Sequence, residues 1–179
     1  AAQAYFGQVI SAVKSVYSGP VGYQAIYNNA VFGMVNIVDF EVRPNIGPGT
    51  SVEQIQSGWS ATGTAQLLSG MANMYGGKTF IAHYEEDAMA GVGGTPAWQQ
   101  FAANQSSVQN LTPNYAEQVM AYQAFVNVAK AAGVKGVGVG EYDPWSVGQV
   151  GNWAKLDTVG ADLWNNPSTH QIAQTLNAL

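Results

Sequence analysis

The stretch YGGKTFIAHYEEDAM, residues 75–89, joins a double-glycine stop, a short apolar run and a row of acids. Gly76 and Gly77 close a helical pattern that carries Leu67, Leu68, Met71 and Met74. Thr79–Tyr84 is short, aromatic and β-branched, and predicts a strand. Glu85, Glu86 and Asp87 follow at its C-terminal end. A helix, a strand and then a sudden cluster of carboxylates is the unit from which parallel sheets with helical crossovers are built. Ligand sites in such folds gather where the strands finish.

The same unit recurs on both sides. Phe6, Val9, Ile10, Val13, Val16 and Tyr17 recur at helical steps, and Gly19-Pro20 stops the pattern. Extended runs follow at 21–26 and 35–40. Thr50 and Glu53 have capping-box spacing and open a helix bearing Val52, Ile55 and Trp59, which Gly63 divides from the next. Past the acids, 88–113 reads as a long loop, and loops of that length are usually functional or unstructured. Thr112-Pro113 predicts a cap and first helical residue for a helix with Tyr115, Val119, Tyr122, Phe125 and Val126 on its apolar side. Gly133 ends it, 137–141 predicts the last strand, and Ser168 with Gln171 opens a final helix bearing Ile172 and Leu176. The fold class is therefore α/β with parallel βα repeats, in one domain over 1–179.

Composition narrows the chemistry. At 179 residues and 47% hydrophobic, the chain can bury a real core. Charged residues are only 9%, against about 25% in ordinary soluble domains. Net charge is -5, with six Lys and Arg and no basic run, so nucleic acid is not expected as a partner: neutralising phosphates takes clustered cations. No stretch approaches the roughly 20 apolar residues of a membrane span. The absence of cysteine removes disulfides and thiolate chemistry. The glycine-rich run before Glu141 leads into a strand end rather than opening a helix, so it is no dinucleotide fingerprint, and no cofactor is expected. Low charge, many neutral polar residues and a start at Ala1 point to an extracellular or cell-surface protein, processed or part of something longer.

Acids are scarce, and their placement is informative. Of eleven, seven fall in three windows: Asp39 and Glu41; Glu85, Glu86 and Asp87; Glu141 and Asp143. Each window stands at or just past a predicted strand end, on one rim of a parallel sheet. Tyr84, Tyr142 and Trp145 accompany them. Aromatic faces beside carboxylates suit sugars, because rings stack on the C–H faces of pyranoses and carboxylates hold the hydroxyls. Two plainer accounts compete: acids at strand ends are ordinary surface, and carboxylate oxygens also suit a hard cation such as Ca²⁺. Arg43, the single arginine, is expected to pair with Asp39 or Glu41. His83 is expected to be a satisfied core or rim histidine.

Three segments together resemble a known family. Residues 75–89 resemble the seventh-strand region of clan-A glycoside hydrolases, the (β/α)8 cellulases and mannanases. GVKGVGVGEYDPW, residues 133–145, is similar to their eighth strand. MVNIVDFEVRPNI (34–46) with SVEQIQSGW (51–59) is similar to their sixth strand and the helix after it. The resemblance implies a TIM-barrel-like fold of which this chain holds strands five to eight. It implies a retaining glycoside hydrolase, if active, with Glu85 or Glu86 as nucleophile and the acid/base upstream of this chain. Glu141, Tyr142, Asp143, Trp145, Tyr84, Asp39 and Glu41 would bind a β-linked polysaccharide or oligosaccharide. In an ungapped match on Gly77-Lys78, Tyr84 stands at the nucleophile position, and Gly138 to Gly140 replace the strand-eight Trp. A full barrel takes about 250 residues, and half a barrel exposes two edges, so a missing N-terminal half or a partner subunit is expected. The alternatives are a barrel-derived surface or assembly protein without turnover, and a small α/β domain with a carboxylate cation site.

Overall fold

Helical periodicity makes α1, Ala2–Val16, the first element. It is followed by β1 (Gly22–Ala25), a 3-10 turn (Ala30–Met34), β2 (Ile37–Val42), α2 (Val52–Ala61), α3 (Thr64–Met74) and β3 (Thr79–Tyr84). Then come α4 (Tyr115–Ala131), β4 (Gly136–Val139) and α5 (Thr169–Leu176). The structure is a computed structural model that describes residues 2–26, 30–42, 44, 46, 49–84, 114–139 and 169–178.

The four strands form one sheet in the order β1-β2-β3-β4, and every pair is parallel. An order that advances one strand at a time in one direction sends every right-handed crossover to the same face. One face of the sheet is therefore covered by helices, and the other is left to face inward, as in a barrel. Doubly wound sheets reverse direction part-way and cover both faces.

Local chemistry sets the element ends, and several differ from the sequence expectation. The cap of α2 is Ser51, one residue later than Thr50: its Oγ accepts from the Gln54 amide at 3.3 Å. Gln54 Oε1 in turn accepts from the Thr50 amide at 2.8 Å and the Thr50 hydroxyl at 2.9 Å. Glu53, in the first turn, has its carboxyl held below the usual range by its own backbone amide and then by the Ser51 hydroxyl. Ser51→Ala is expected to cost about 1 kcal/mol in urea denaturation, since it orphans a helix-end amide. The cap of α4 is Asn114, whose side chain accepts from the Glu117 amide at 3.1 Å and donates to the Glu117 carboxylate at 2.9 Å. Finally, β2 runs on through Val42, so Glu41, expected just past the strand, lies within it.

The glycine stops hold where expected. Gly63 takes a left-handed φ of 76° and separates α2 from α3. Gly133, at φ 75°, ends α4. Its amide donates to the Lys130 carbonyl at 3.0 Å while the Val134 amide reaches back to Ala129 at 3.0 Å. That double bond is a Schellman motif, which needs a left-handed residue at this position. Gly133→Ala should therefore cost about 1 kcal/mol, read as a lowered denaturation midpoint.

The core lies between the sheet and the helices. Val38, Phe40, Val42, Phe80, Ala82 and Tyr84 enter it from the strands, and Ile55, Trp59, Leu68, Met71, Tyr122, Phe125 and Ile172 from the helices. Trp59 is fully buried, stacked on Phe125 at 5.9 Å and edge-on to Tyr84 at 5.2 Å. Among the described residues no helix is long and apolar enough to cross a membrane.

Candidate functional site on the inner face of the sheet

Side chains alternate along a strand, so the core residues on one face define their neighbours on the other. In β2 the buried positions are Val38, Phe40 and Val42, and Ile37, Asp39 and Glu41 point the opposite way. In β3 the buried positions are Phe80, Ala82 and Tyr84, and Ile81 and His83 point the opposite way. Strand register aligns these in two rungs. Gln24, Asp39, Ile81 and Gly136 lie side by side, and Glu41, His83 and Gly138 form the next rung toward the C-terminal ends.

The polar members of this face meet diagonally between rungs. His83 Nδ1 stands 3.5 Å from Asp39 Oδ2, with the two side chains 18% and 24% exposed. Gln24 Nε2 donates to Glu41 Oε2 at 3.3 Å. The second oxygen of Asp39, Oδ1, is buried and meets no donor among the described residues. Gly138 has a steric role: a Cβ there would stand 2.7 Å from His83 Nδ1 and 3.3 Å from its Cγ. The imidazole thus lies over the space that a side chain at 138 would fill. The face offers a hydroxyl-rich ligand carboxylate and amide oxygens as acceptors and an amide and an imidazole as donors. Among the described residues no three of His, Asp and Glu stand together as a metal would need.

The sequence expectations fall into three groups. Asp39 and Glu41 do share one face. Tyr84, expected as a sugar-stacking ring, is instead a core ring on the helix side, fully buried and packed against Trp59, Tyr122 and Phe125. The physical reason is the two-residue alternation of β3, which turns His83 inward and Tyr84 outward. Glu85, Glu86, Glu141, Tyr142, Asp143 and Trp145 lie outside the described residues, as does Arg43. Sequence reasoning underrated His83, Gln24 and Gly138. Their signal was parity: His83 stands two residues before Glu85, as Asp39 stands two before Glu41.

No family model matches the chain, and no curated protein does. Two solved structures do match in fold. One, of a GH113 β-1,4-mannanase, has 14% sequence identity and a TM-score of 0.61 over 97% of this chain and 50% of that one. The other, a complex of a GH113 β-1,4-mannanase, has 13% identity and a TM-score of 0.59 over 99% of this chain and 52% of that one. The chain thus spans about half the length of the solved enzymes it matches. The fold is that of part of a (β/α)8 barrel.

Proposed function

We propose that this chain is strands five to eight of a glycosidase-like barrel whose inner face binds β-linked glycans outside the cell or at its surface. The observation that carries the reading is the polar inner face, with Asp39 paired to His83 and Glu41 to Gln24. It sits in a fold that matches half of a β-1,4-mannanase. Pyranose hydroxyls can both donate and accept, so they suit a face that mixes carboxylates, an amide and an imidazole.

For catalysis, Glu85 is the preferred nucleophile and Glu86 the alternate. The resemblance favours Glu85, which directly follows β3 (Thr79–Tyr84) in the sequence. In a retaining displacement this carboxylate attacks the anomeric carbon, while a second carboxylic acid about 5–5.5 Å away protonates the leaving oxygen. Water then releases the sugar. The second acid comes from the missing half. Glu141, Asp143, Tyr142 and Trp145 hold the glycan beside the reacting bond.

A second reading has its own support. The ungapped nucleophile position is a buried tyrosine, Tyr84, and residues 138–140, Gly-Val-Gly, replace the strand-eight Trp. A barrel-derived assembly protein without turnover accounts for both. Hydrolysis separates the two readings. With β-1,4-manno- and cello-oligosaccharides, cleavage by the intact protein should vanish in Glu85→Gln and persist in Glu86→Gln. Cleavage retained by both variants overturns the nucleophile assignment. Calorimetric titration should also show saturable binding that Asp39→Ala weakens about tenfold, the loss of one charge-assisted hydrogen bond. No binding to any β-linked glycan overturns the reading as a whole.

A further inference from the structure

Charge in this chain is sorted along the strand direction. The described acids are Asp39 and Glu41 in β2, Glu53 in the first turn of α2 and Glu117 in the first turn of α4. The described lysines are Lys14 and Lys130, in the last turns of α1 and α4, and Lys78 and Lys135, each one residue ahead of a strand. In a parallel sheet with helical crossovers, a helix starts near the end of one strand and finishes near the start of the next. All four lysines therefore lie toward the N-terminal ends of the strands. Glu41, Glu53 and Glu117 lie toward the C-terminal ends, with Asp39 midway along β2. Two of the lysines also tie down the entry to β2: Lys14 Nζ donates to the Met34 carbonyl at 3.4 Å and Lys78 Nζ to the Gly33 carbonyl at 3.1 Å.

Helix dipoles account for part of this sorting. They favour acids in first turns and lysines in last turns, which covers Glu53, Glu117, Lys14 and Lys130. Asp39, Glu41, Lys78 and Lys135 stand in or beside strands, where net dipoles are small. Strands β1 to β4 contain no lysine or arginine, so His83 is the one strand residue that can set positive charge against Asp39 and Glu41. The sequence continues the trend: Glu85, Glu86 and Asp87 follow β3, and Glu141 and Asp143 follow β4, against Arg43 after β2.

We infer that the glycan this face prefers is cationic, a β-linked chain of amino sugars with free amines, of the β-1,4-glucosamine class. A protonated amine brings three donors and a full charge. Its hydrogen bonds to carboxylates are about twice as strong as those of a neutral hydroxyl. A face with Asp39 and Glu41 among its acceptors thus gains more from an amine than from the hydroxyl it replaces. A field of one sign over the strand ends also raises the local concentration of a cationic chain and speeds its arrival. Neutral β-linked chains still bind, but more weakly. The inference rests on the glycan reading of the inner face and names the sugar.

Calorimetric titration of the intact protein tests it with glucosamine oligomers and their N-acetylated counterparts of the same length. In mildly acidic buffer at low salt the free amines are charged, and the glucosamine oligomer should bind about tenfold tighter, the gain from one charge-assisted bond. That preference should shrink at about 1 M salt, where the screening length falls to about 3 Å. It should vanish in alkaline buffer, where the amine is neutral. Equal affinity for the two oligomers overturns the inference, as does a preference indifferent to both salt and alkali.

Asp39→Asn with Glu41→Gln removes both charges and keeps both shapes. The ratio of the two affinities should then fall to about one. A folded double variant that keeps the preference means the amine is met elsewhere, and also overturns the inference. The salt and alkali measurements use the unmodified protein and decide the matter where the variant does not fold. Neutral manno- or cello-oligosaccharides bound more tightly than the glucosamine oligomer overturn the inference and leave the glycan reading standing. Binding of no oligosaccharide at all refutes both.

Discussion

Trp59→Ala is expected to destabilise the fold by about 3–5 kcal/mol, the range for emptying a large buried aromatic site. The indole is fully buried at the centre of the helix-side core, between Phe125 and Tyr84. Its neighbours come from α4 and β3, two elements that cannot both collapse into the hole without shifting the helix against the sheet. A denaturant midpoint lowered by that amount, with the slope unchanged, is the expected readout. Trp59→Phe should cost much less. The indole N–H is buried and meets no acceptor among the described residues, and an unmade buried hydrogen bond costs about 1–3 kcal/mol. Phenylalanine removes that cost while keeping a ring in the stack. Equal losses for Ala and Phe would show that the N–H has a partner and that packing is not the main term.

The second large effect is at Gly138. Gly138→Ala places a methyl 2.7 Å from His83 Nδ1, and overpacking of this kind costs about 1–3 kcal/mol. The relief available is rotation of the imidazole, which takes it off Asp39. The substitution should therefore damage stability and the polar pair together. A double-mutant cycle isolates the cause: on a His83→Ala background, Gly138→Ala should cost almost nothing. If the cost is the same with and without the ring, the obstacle is backbone conformation, and the pairing of Gly138 with His83 is refuted. At Ser51 and Gly133, by contrast, one cap bond or one backbone conformation is at stake and the rest of the core stays in place.

The sequence made much of the fold legible. Thr79–Tyr84 was bounded on one side by two glycines and a lysine and on the other by three acids, and the strand has those limits. The helical stops at Gly63 and Gly133 were also legible, because only a left-handed residue serves there. Caps were harder. Thr50, Ser51 and Asn114 are each competent, and the choice among adjacent candidates is made by where the helix axis must start in order to pack. The short 3-10 turn at Ala30–Met34 has no helical repeat long enough to notice.

The candidate site was legible in part. Asp39 and Glu41 stood out because the chain is so poor in charge. Tyr84 stood out for the wrong reason: it is next to the acids in sequence, and adjacency in a strand means opposite faces. His83 was passed over because a lone histidine in an apolar run is ordinary.

Periodicity and stop signals alone thus determined an α/β chain of parallel units, since they depend only on neighbouring residues. The tertiary structure alone decided which side of each strand faces inward. A parallel strand covered on both sides is apolar at nearly every position, so its alternation has a period but no sign. The sign comes from the sheet order: four strands advancing one way put the helices on one face, and Asp39, Glu41, His83 and Gly138 are left together on the other.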